Sequence, residues 1–379
     1  MSESRRPRRW PWVLSVVGVL LVIAGWWINR QLEPDRLTAT VLQKAGESLQ
    51  LNLRFEGQPE YALKPEPRLL IPNLSVSGAD GRVFLSAKRA EISLPWSTLT
   101  GDEPVITRIE LDQPVLALPG LRRWLATRPE APFELPTLNK GLAVSDGTVT
   151  DDGYAINKLD LDLPRLKTGE PASVEAQGRF AQGETTVDFQ LELGAETPGL
   201  ASDFTVQGSG QLLQQPEPLN FQLRSNGRYI SDDAGFSVDA RELKFDGASP
   251  LPNIAGKGKL AVSEQTRLDF DGLLLEWPKT WPALPEPLAT NSKNLPVRIS
   301  YAGKPDFSDP VSLLVTREPT TLQASLRVGD LQQWLAATDG SPLPPINGTL
   351  STPSLEFDGV KLLGVEVEIS DGNASAAPP

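Results

Sequence analysis

Two pairs of adjacent carboxylates, Asp151-Asp152 and Asp232-Asp233, are the side chains of this sequence with the most direct capacity for chemistry. Neighbouring carboxyls can divide into a general acid and a general base, or hold a divalent cation between them. Both pairs sit beside Gly or Ala in turn-like surroundings, where Asp is favoured because it hydrogen-bonds its own backbone. The D-x-D-x-D-G spacing of a calcium loop is missing. They read as turns. Gly208-Ser-Gly210 and Gly256-Lys-Gly258 read as hairpin glycines and not as phosphate loops, since no strand-to-helix context with GK[ST] follows. The sequons at Asn73, Asn347 and Asn373 matter only in a glycosylating host and receive no role.

The wider inventory removes more chemistry. The chain has no His and no Cys, which excludes Ser-His-Asp and Cys-His arrangements, thiol nucleophiles, zinc fingers and structural disulfides. Carboxylates and Ser-Lys pairs remain, but no motif assembles them, and neither a metal nor a cofactor is implied. With 48 acidic against 36 basic residues the net charge is −12. Nucleic acid is therefore not an expected partner, because phosphates need a basic surface. A hydrophobic share of 39% suits a folded chain, and 35 Pro with 31 Gly imply frequent turns and few long helices.

The first thirty residues carry an address. Arg5, Arg6, Arg8 and Arg9 precede seventeen uncharged residues, 12–28. As a helix these would span roughly 25 Å, enough to cross most of a hydrocarbon core. Trp10 and Trp12 stand at one end and Trp26 and Trp27 at the other, where amphipathic rings favour the membrane interface. The positive-inside rule puts 1–9 in the cytoplasm, 10–29 across the membrane as a transmembrane helix, and the body beyond it. A cleaved signal peptide competes, with Val22-Ile23-Ala24 as the cleavage site, but two Trp directly after it are unusual. In a bacterium the body, 30–369, would be a periplasmic domain tethered to the inner membrane, with 370–379 as a disordered tail.

The body reads as strands. IELDQPVLAL (109–118) and KLDLDLPRL (158–166) place apolar residues at every second position. After a short amphipathic helix at 33–48, the same period of two runs through 49–55, 83–94, 106–118, 159–163, 187–193 and 219–224. It returns at 268–275, 297–301, 322–328, 355–360 and 365–369. Turn signals such as SDG, DDG, SNG and FDG separate these stretches. Two short helices, 121–126 and 330–337, interrupt them, with Asp330 as an N-cap. Trp124 and Trp334 on these helices are expected to pack over the sheet ends. WPKTWPALPEP (277–287) is the candidate linker or rim loop, a sub-boundary near 277–290. About fifteen strands at ~4.8 Å spacing make a sheet roughly 70 Å long, which must twist and curl.

Alternation of this kind is what any β-sandwich requires, since each sheet buries its inner face against the other. An outer-membrane barrel is disfavoured by the anchor and by Pro within strands. The functional alternative is a curled sheet whose apolar face stays open as a groove for acyl chains.

An anchor, then an amphipathic helix, then KRAEISLPWSTLTGDEPVITRIELDQPVLAL (88–118) and GLAVSDGTVTDDGYAINKLDLDL (141–163) form an order that resembles the amino-terminal part of the AsmA family of bacterial envelope proteins. INGTLSTPSLEFDGVKLLGVEVEIS (346–370) is similar to the paired strands near the end of such proteins. The resemblance implies a chorein-like start followed by a mainly β domain, a long, curled antiparallel β-sheet forming an elongated hydrophobic groove, with a few short helices. It further implies an inner-membrane-anchored periplasmic protein linked to outer-membrane assembly and phospholipid traffic.

The expected function is non-enzymatic handling or transfer of phospholipid or another amphiphile. The groove-lining candidates are Ile109, Leu111 and Val115; Leu159, Leu161 and Leu163; and Val187, Phe189 and Leu191. The competing class is a membrane-anchored scaffold, or an accessory of an envelope secretion machine, that binds other envelope proteins through its sheet edges.

Overall fold

The computed structural model describes residues 51–62, 66–96, 106–127, 137–213, 217–232, 235–281, 293–330, 345–357 and 360–370. The basic tail, the apolar segment 10–29 with its Trp residues, the helix at 33–48, Trp334 and 371–379 lie outside them. No helix among the described residues is long and apolar enough to cross a membrane.

Every described strand joins one curled, almost wholly antiparallel sheet of 20 strands. The first part comprises β1 (Asn52–Arg54), β2 (Glu60–Ala62), β3 (Arg68–Ser77), β4 (Val83–Ser93), β5 (Arg108–Asp112) and β6 (Val115–Ala117). It continues with β7 (Leu142–Asp151), β8 (Tyr154–Leu163), β9 (Ala172–Gln182), β10 (Thr185–Ala195), β11 (Ala201–Leu212), β12 (Leu219–Asp232) and β13 (Gly235–Gly247). The last are β14 (Asn253–Val262), β15 (Thr266–Glu276), β16 (Lys293–Gly303), β17 (Val311–Arg317), β18 (Thr320–Leu326), β19 (Asn347–Phe357) and β20 (Val360–Ile369).

Pairing follows chain order from β7 to β20, each strand antiparallel to the next. At the other end β1 and β2 both pair with β3, and β5 and β6 together lie between β4 and β7. The strands thus occupy eighteen ranks, about 80 Å at ~4.8 Å each. A pure antiparallel meander is corrected at one place: β5 and β6 run parallel to β7. Parallel neighbours need a crossover instead of a hairpin, and helix α1 (Leu118–Ala126) stands in it. Gly120 lets α1 lie directly on β4, since a Cβ there would come within 2.5 Å of the Phe84 Cβ. Trp124 then stacks on Phe84 at 5.9 Å, so this indole packs as expected.

Directly opposed residues of antiparallel strands share a face, and the register carries one apolar face across the sheet. One row reads Leu161, Ala176, Leu191, Gly208, Leu223, Phe245, Ile254, Leu274 and Leu295 from β8 to β16. A second reads Val174, Leu193, Val206, Ser225 and Leu243, and later Val297, Val315, Leu322, Leu350 and Val367. Asp, Glu, Gln, Lys and Arg fill the alternate positions on the other face.

Two packed clusters lie towards the ends. One gathers Leu69, Ile71, Leu74, Val76, Phe84 and Ala90, with Leu111, Leu116, Leu121 and Trp124 against them. The other gathers Phe270, Leu274, Leu295, Val297 and Val315, covered in part by Trp277 and Trp281. Of the two readings of this segment, linker or rim loop, residues 277–281 take the second. Trp277 and Trp281 meet edge to face at 5.0 Å, Trp281 Nε1 donates to the Pro250 carbonyl at 2.9 Å, and Ser249 and Thr280 hydroxyls meet at 3.0 Å. These residues are a strap across the sheet, and β15 pairs with β16 along their length on either side of the segment.

Candidate functional site

Of the two carboxylate pairs, Asp151-Asp152 is described in full, and its Asp151 is engaged by its neighbours. Asp151, at the end of β7, accepts hydrogen bonds from Arg122 of α1, one of them 3.0 Å long, and from the Asp152 amide at 2.8 Å. Burial pushes its carboxyl up, but Arg122, the Asp152 amide and Tyr154 together hold it below the usual carboxylate range. It stays ionised and acts as a clasp between helix and sheet. Asp232 closes β12, while Asp233 lies outside the described residues. No group of three metal-ligating side chains occurs among the described residues. Gly208, Gly210, Gly256 and Gly258 are not hairpin glycines, which corrects that expectation. They lie inside β11 and β14 on the apolar face, opposite Leu191, Phe221, Leu243 and Phe270 respectively. At Gly210 a Cβ would fall 2.2 Å from the Phe221 Cζ, so the ring lies flat over bare backbone. Phe221 in turn stacks on Phe245 at 5.2 Å.

What the sheet does build is a hollow. Between the two packed clusters, Val174, Leu193, Val206, Leu223, Val238 and Leu243 are only half-buried, whereas Leu295 and Val315 in the second cluster are 0% and 2% exposed. Those half-buried side chains line a cavity of about 760 Å³ on the apolar face. Its wall runs from Leu163 on β8 to Ile299 on β16 and includes Phe204, Tyr229, Phe236, Leu260 and Phe270. Nine strands at ~4.8 Å spacing make it about 38 Å long. Such a volume falls in the range of ligand pockets, roughly 300–1,000 Å³, and its wall is almost purely hydrocarbon.

A second hollow, of about 790 Å³, lies on the opposite face over β7–β12. It is ringed by Asp160, Asp162, Glu175, Gln177, Gln190 and Glu192. Three of these groups are hydrogen-bonded locally: the Asp146 amide donates to Asp160 at 2.9 Å, Gln177 donates to it at 3.0 Å, and Gln207 donates to Glu192 at 2.5 Å. Beside it Arg179 holds Asp188 through two bonds of 2.6 and 2.8 Å, and that guanidinium keeps the Asp188 carboxyl below its ordinary range. This is a wet, polar face.

The nine candidates divide unevenly. Ile109 and Leu111 stand opposite Ile92 and Ala90 on the apolar face, and Leu159, Leu161, Leu163, Val187, Phe189 and Leu191 share that face further along. Leu163 alone of these lines the hollow. Val115 is on the other face, opposite Ser86 and Thr148, and is 45% exposed. The cause is local: Gln113 takes a left-handed φ of 49°, which reverses the alternation while the register with β4 and β7 is kept, so Leu116 joins the apolar cluster instead. Asn73, Asp146 and Lys158 take the same left-handed backbone in β3, β7 and β8, with φ of 44°, 50° and 50°. Missed were the linings contributed by β9, β11, β13 and β14, among them Val174, Phe204, Val206 and Val238. Their signal was present as weak alternation diluted by Gly, Ser and Ala.

The chain matches no family model, no curated protein and no solved structure.

Proposed function

We propose that this chain is a non-enzymatic protein of the bacterial envelope that holds the acyl chains of phospholipid, or of a similar amphiphile, in the apolar hollow between its two packed clusters. One observation carries the reading. Seven adjacent strands, β8–β14, present an apolar face on which most of the large side chains are left half-exposed around a long cavity. Each buried methylene of a guest contributes ~0.8 kcal/mol, and the polar face leaves headgroups nothing to compete for inside. The apolar, Trp-flanked segment 10–29 supports anchoring in the inner membrane, with the body in the periplasm. The resemblance to the AsmA family supports a place in outer-membrane assembly and phospholipid transport.

Site-specific photo-crosslinking of the full chain in membranes tests it. A photoreactive residue at Val206, on the apolar face, should capture phospholipid; the same residue at Gln207, its neighbour on the wet face, should not. Equal capture at both positions, or none at either, would refute the assignment.

The scaffold reading retains one observation of its own. Among the described residues β20 pairs only with β19, and Leu362 and Leu363 on it are exposed. Stable protein neighbours crosslinked at Leu363, without lipid at Val206, would favour that role.

A further inference from the structure

At one long side of the sheet the hollow runs out to the turn that joins β10 to β11 and to the adjoining ends of β12 and β13. Pro198, Tyr229 and Phe236 of its wall stand there. Tyr229 stacks on Phe236 at 6.2 Å, and its hydroxyl donates to the Gly199 carbonyl at 3.1 Å. The Ser231 amide donates to the Leu200 carbonyl at 2.7 Å, tying that turn to the end of β12. Three large apolar side chains crowd this lip in the open: Leu200, Ile230 and Phe236 are 48%, 43% and 43% exposed.

Their placement separates two kinds of partner. Phe236 stands opposite Ser231 and Val262 on the apolar side, whereas Ile230 stands opposite Ala201 and Ser237 on the outer side. A patch that docks onto a protein is apolar on one side. This edge is apolar on both, the form of a wedge immersed in a medium. The basic groups beside it are already engaged: Arg241 and Arg228 with Asp203 at 2.6 and 3.6 Å, and Lys259 with Asp239 at 3.3 Å. The lip therefore offers hydrocarbon without surplus positive charge.

We infer that this lip inserts into the surface of a lipid bilayer, zwitterionic as readily as anionic, and is the mouth through which acyl chains pass between bilayer and hollow. The inference rests on the reading of the hollow as an acyl-chain compartment.

Because the chain has no Cys, Ile230→Cys creates a single labelling site. The full chain, held in a nanodisc and carrying an environment-sensitive dye at that site, is mixed with phosphatidylcholine vesicles. The dye should shift to the blue and be quenched by brominated lipid, and the response should survive raised salt. A label at Asn220→Cys, at the far end of β12, should not respond. Leu200→Asp should weaken the vesicle response roughly ten-fold, from the loss of one buried aliphatic side chain. If the Ile230 variant folds poorly, Leu200→Cys serves in its place. No response to vesicles overturns the inference, as does one that needs anionic lipid or appears with rising protein concentration alone, which would mark a second copy as the occupant. Crosslinking at Val206 reports on the hollow separately: lipid capture there with a silent lip sinks only the mouth, and no capture sinks the compartment itself.

Discussion

Placing a carboxylate in the hollow should create a loading defect that depends on pH in a calculable way. Leu223 lies at the middle of β12, opposite Gly208 and Phe245, on the cavity wall and half-exposed. In the empty protein Leu223→Asp keeps its new charge in contact with water, so folding loses only part of one apolar burial, about 1 kcal/mol. With an acyl chain laid over it, the charge would have to leave water unpaired, which costs far more than taking up a proton first. Protonation thus caps the penalty. From an ordinary Asp pKa of about 3.9, at 1.36 kcal/mol per pH unit, it costs about 4 kcal/mol at pH 7 and about 1.5 kcal/mol at pH 5. Lipid affinity should fall by up to roughly a thousand-fold at pH 7 and by about ten-fold at pH 5. Leu223→Asn, which cannot titrate, should show a smaller deficit that stays constant between those pH values. Displacement of a fluorescent fatty acid from the full chain, measured at both pH values with urea melts as a folding control, supplies the assay. Wild-type affinity in the Asp variant, or a deficit insensitive to pH, would show that acyl chains do not lie against Leu223.

Trp281→Ala removes the strap's anchor, its indole packing and its bond to Pro250, and should lower stability by about 2–4 kcal/mol in a urea melt; an unchanged midpoint would mean the strap does not hold the second cluster. Gly210→Ala forces the Phe221 ring off the backbone and should destabilise by about 1–3 kcal/mol. Phe221→Leu should restore part of that loss, and additivity of the two changes would count against the contact. The Asp188 carboxyl is depressed by Arg179, so the pair adds stability above the usual carboxylate pKa that is lost as pH falls through the lower folded value. Both groups are more than a third exposed, so screening by solvent keeps the gain small. Urea midpoints at pH 6 and pH 3 should converge between wild type and Arg179→Gln at the acid end.

Much of the strand content was readable because Leu-x-Leu-x-Leu at 159–163 and Val-x-Phe-x-Leu at 187–191 put large side chains on one face without exception. The strands overlooked, such as Ala201–Leu212 and Asn253–Val262, spend inward positions on Gly208, Gly210, Gly256 and Gly258. A glycine facing inward carries no hydrophobic signal, yet at Gly210 it is demanded by the Phe221 ring across from it. Val115 failed for the opposite reason. The expected alternation runs straight through 109–118, but one left-handed residue at Gln113 reverses its phase without shifting the register, and the apolar pattern alone does not announce such a residue.

The residue order alone determined that this chain folds by burial without disulfides, that it carries no His or Cys chemistry, and that its body alternates as β-strand. These follow from composition and from a period of two, which are local properties. Whether the apolar face closes on a second layer or stays open is not local. It depends on register across many strands, on where Trp277 and Trp281 fold back, and on which rows the glycines occupy. Only the assembled sheet decided that two stretches of the face are packed and the one between them is left as a hollow. A side chain's burial is set by what arrives opposite it from distant parts of the chain, and alternation says only which way it points.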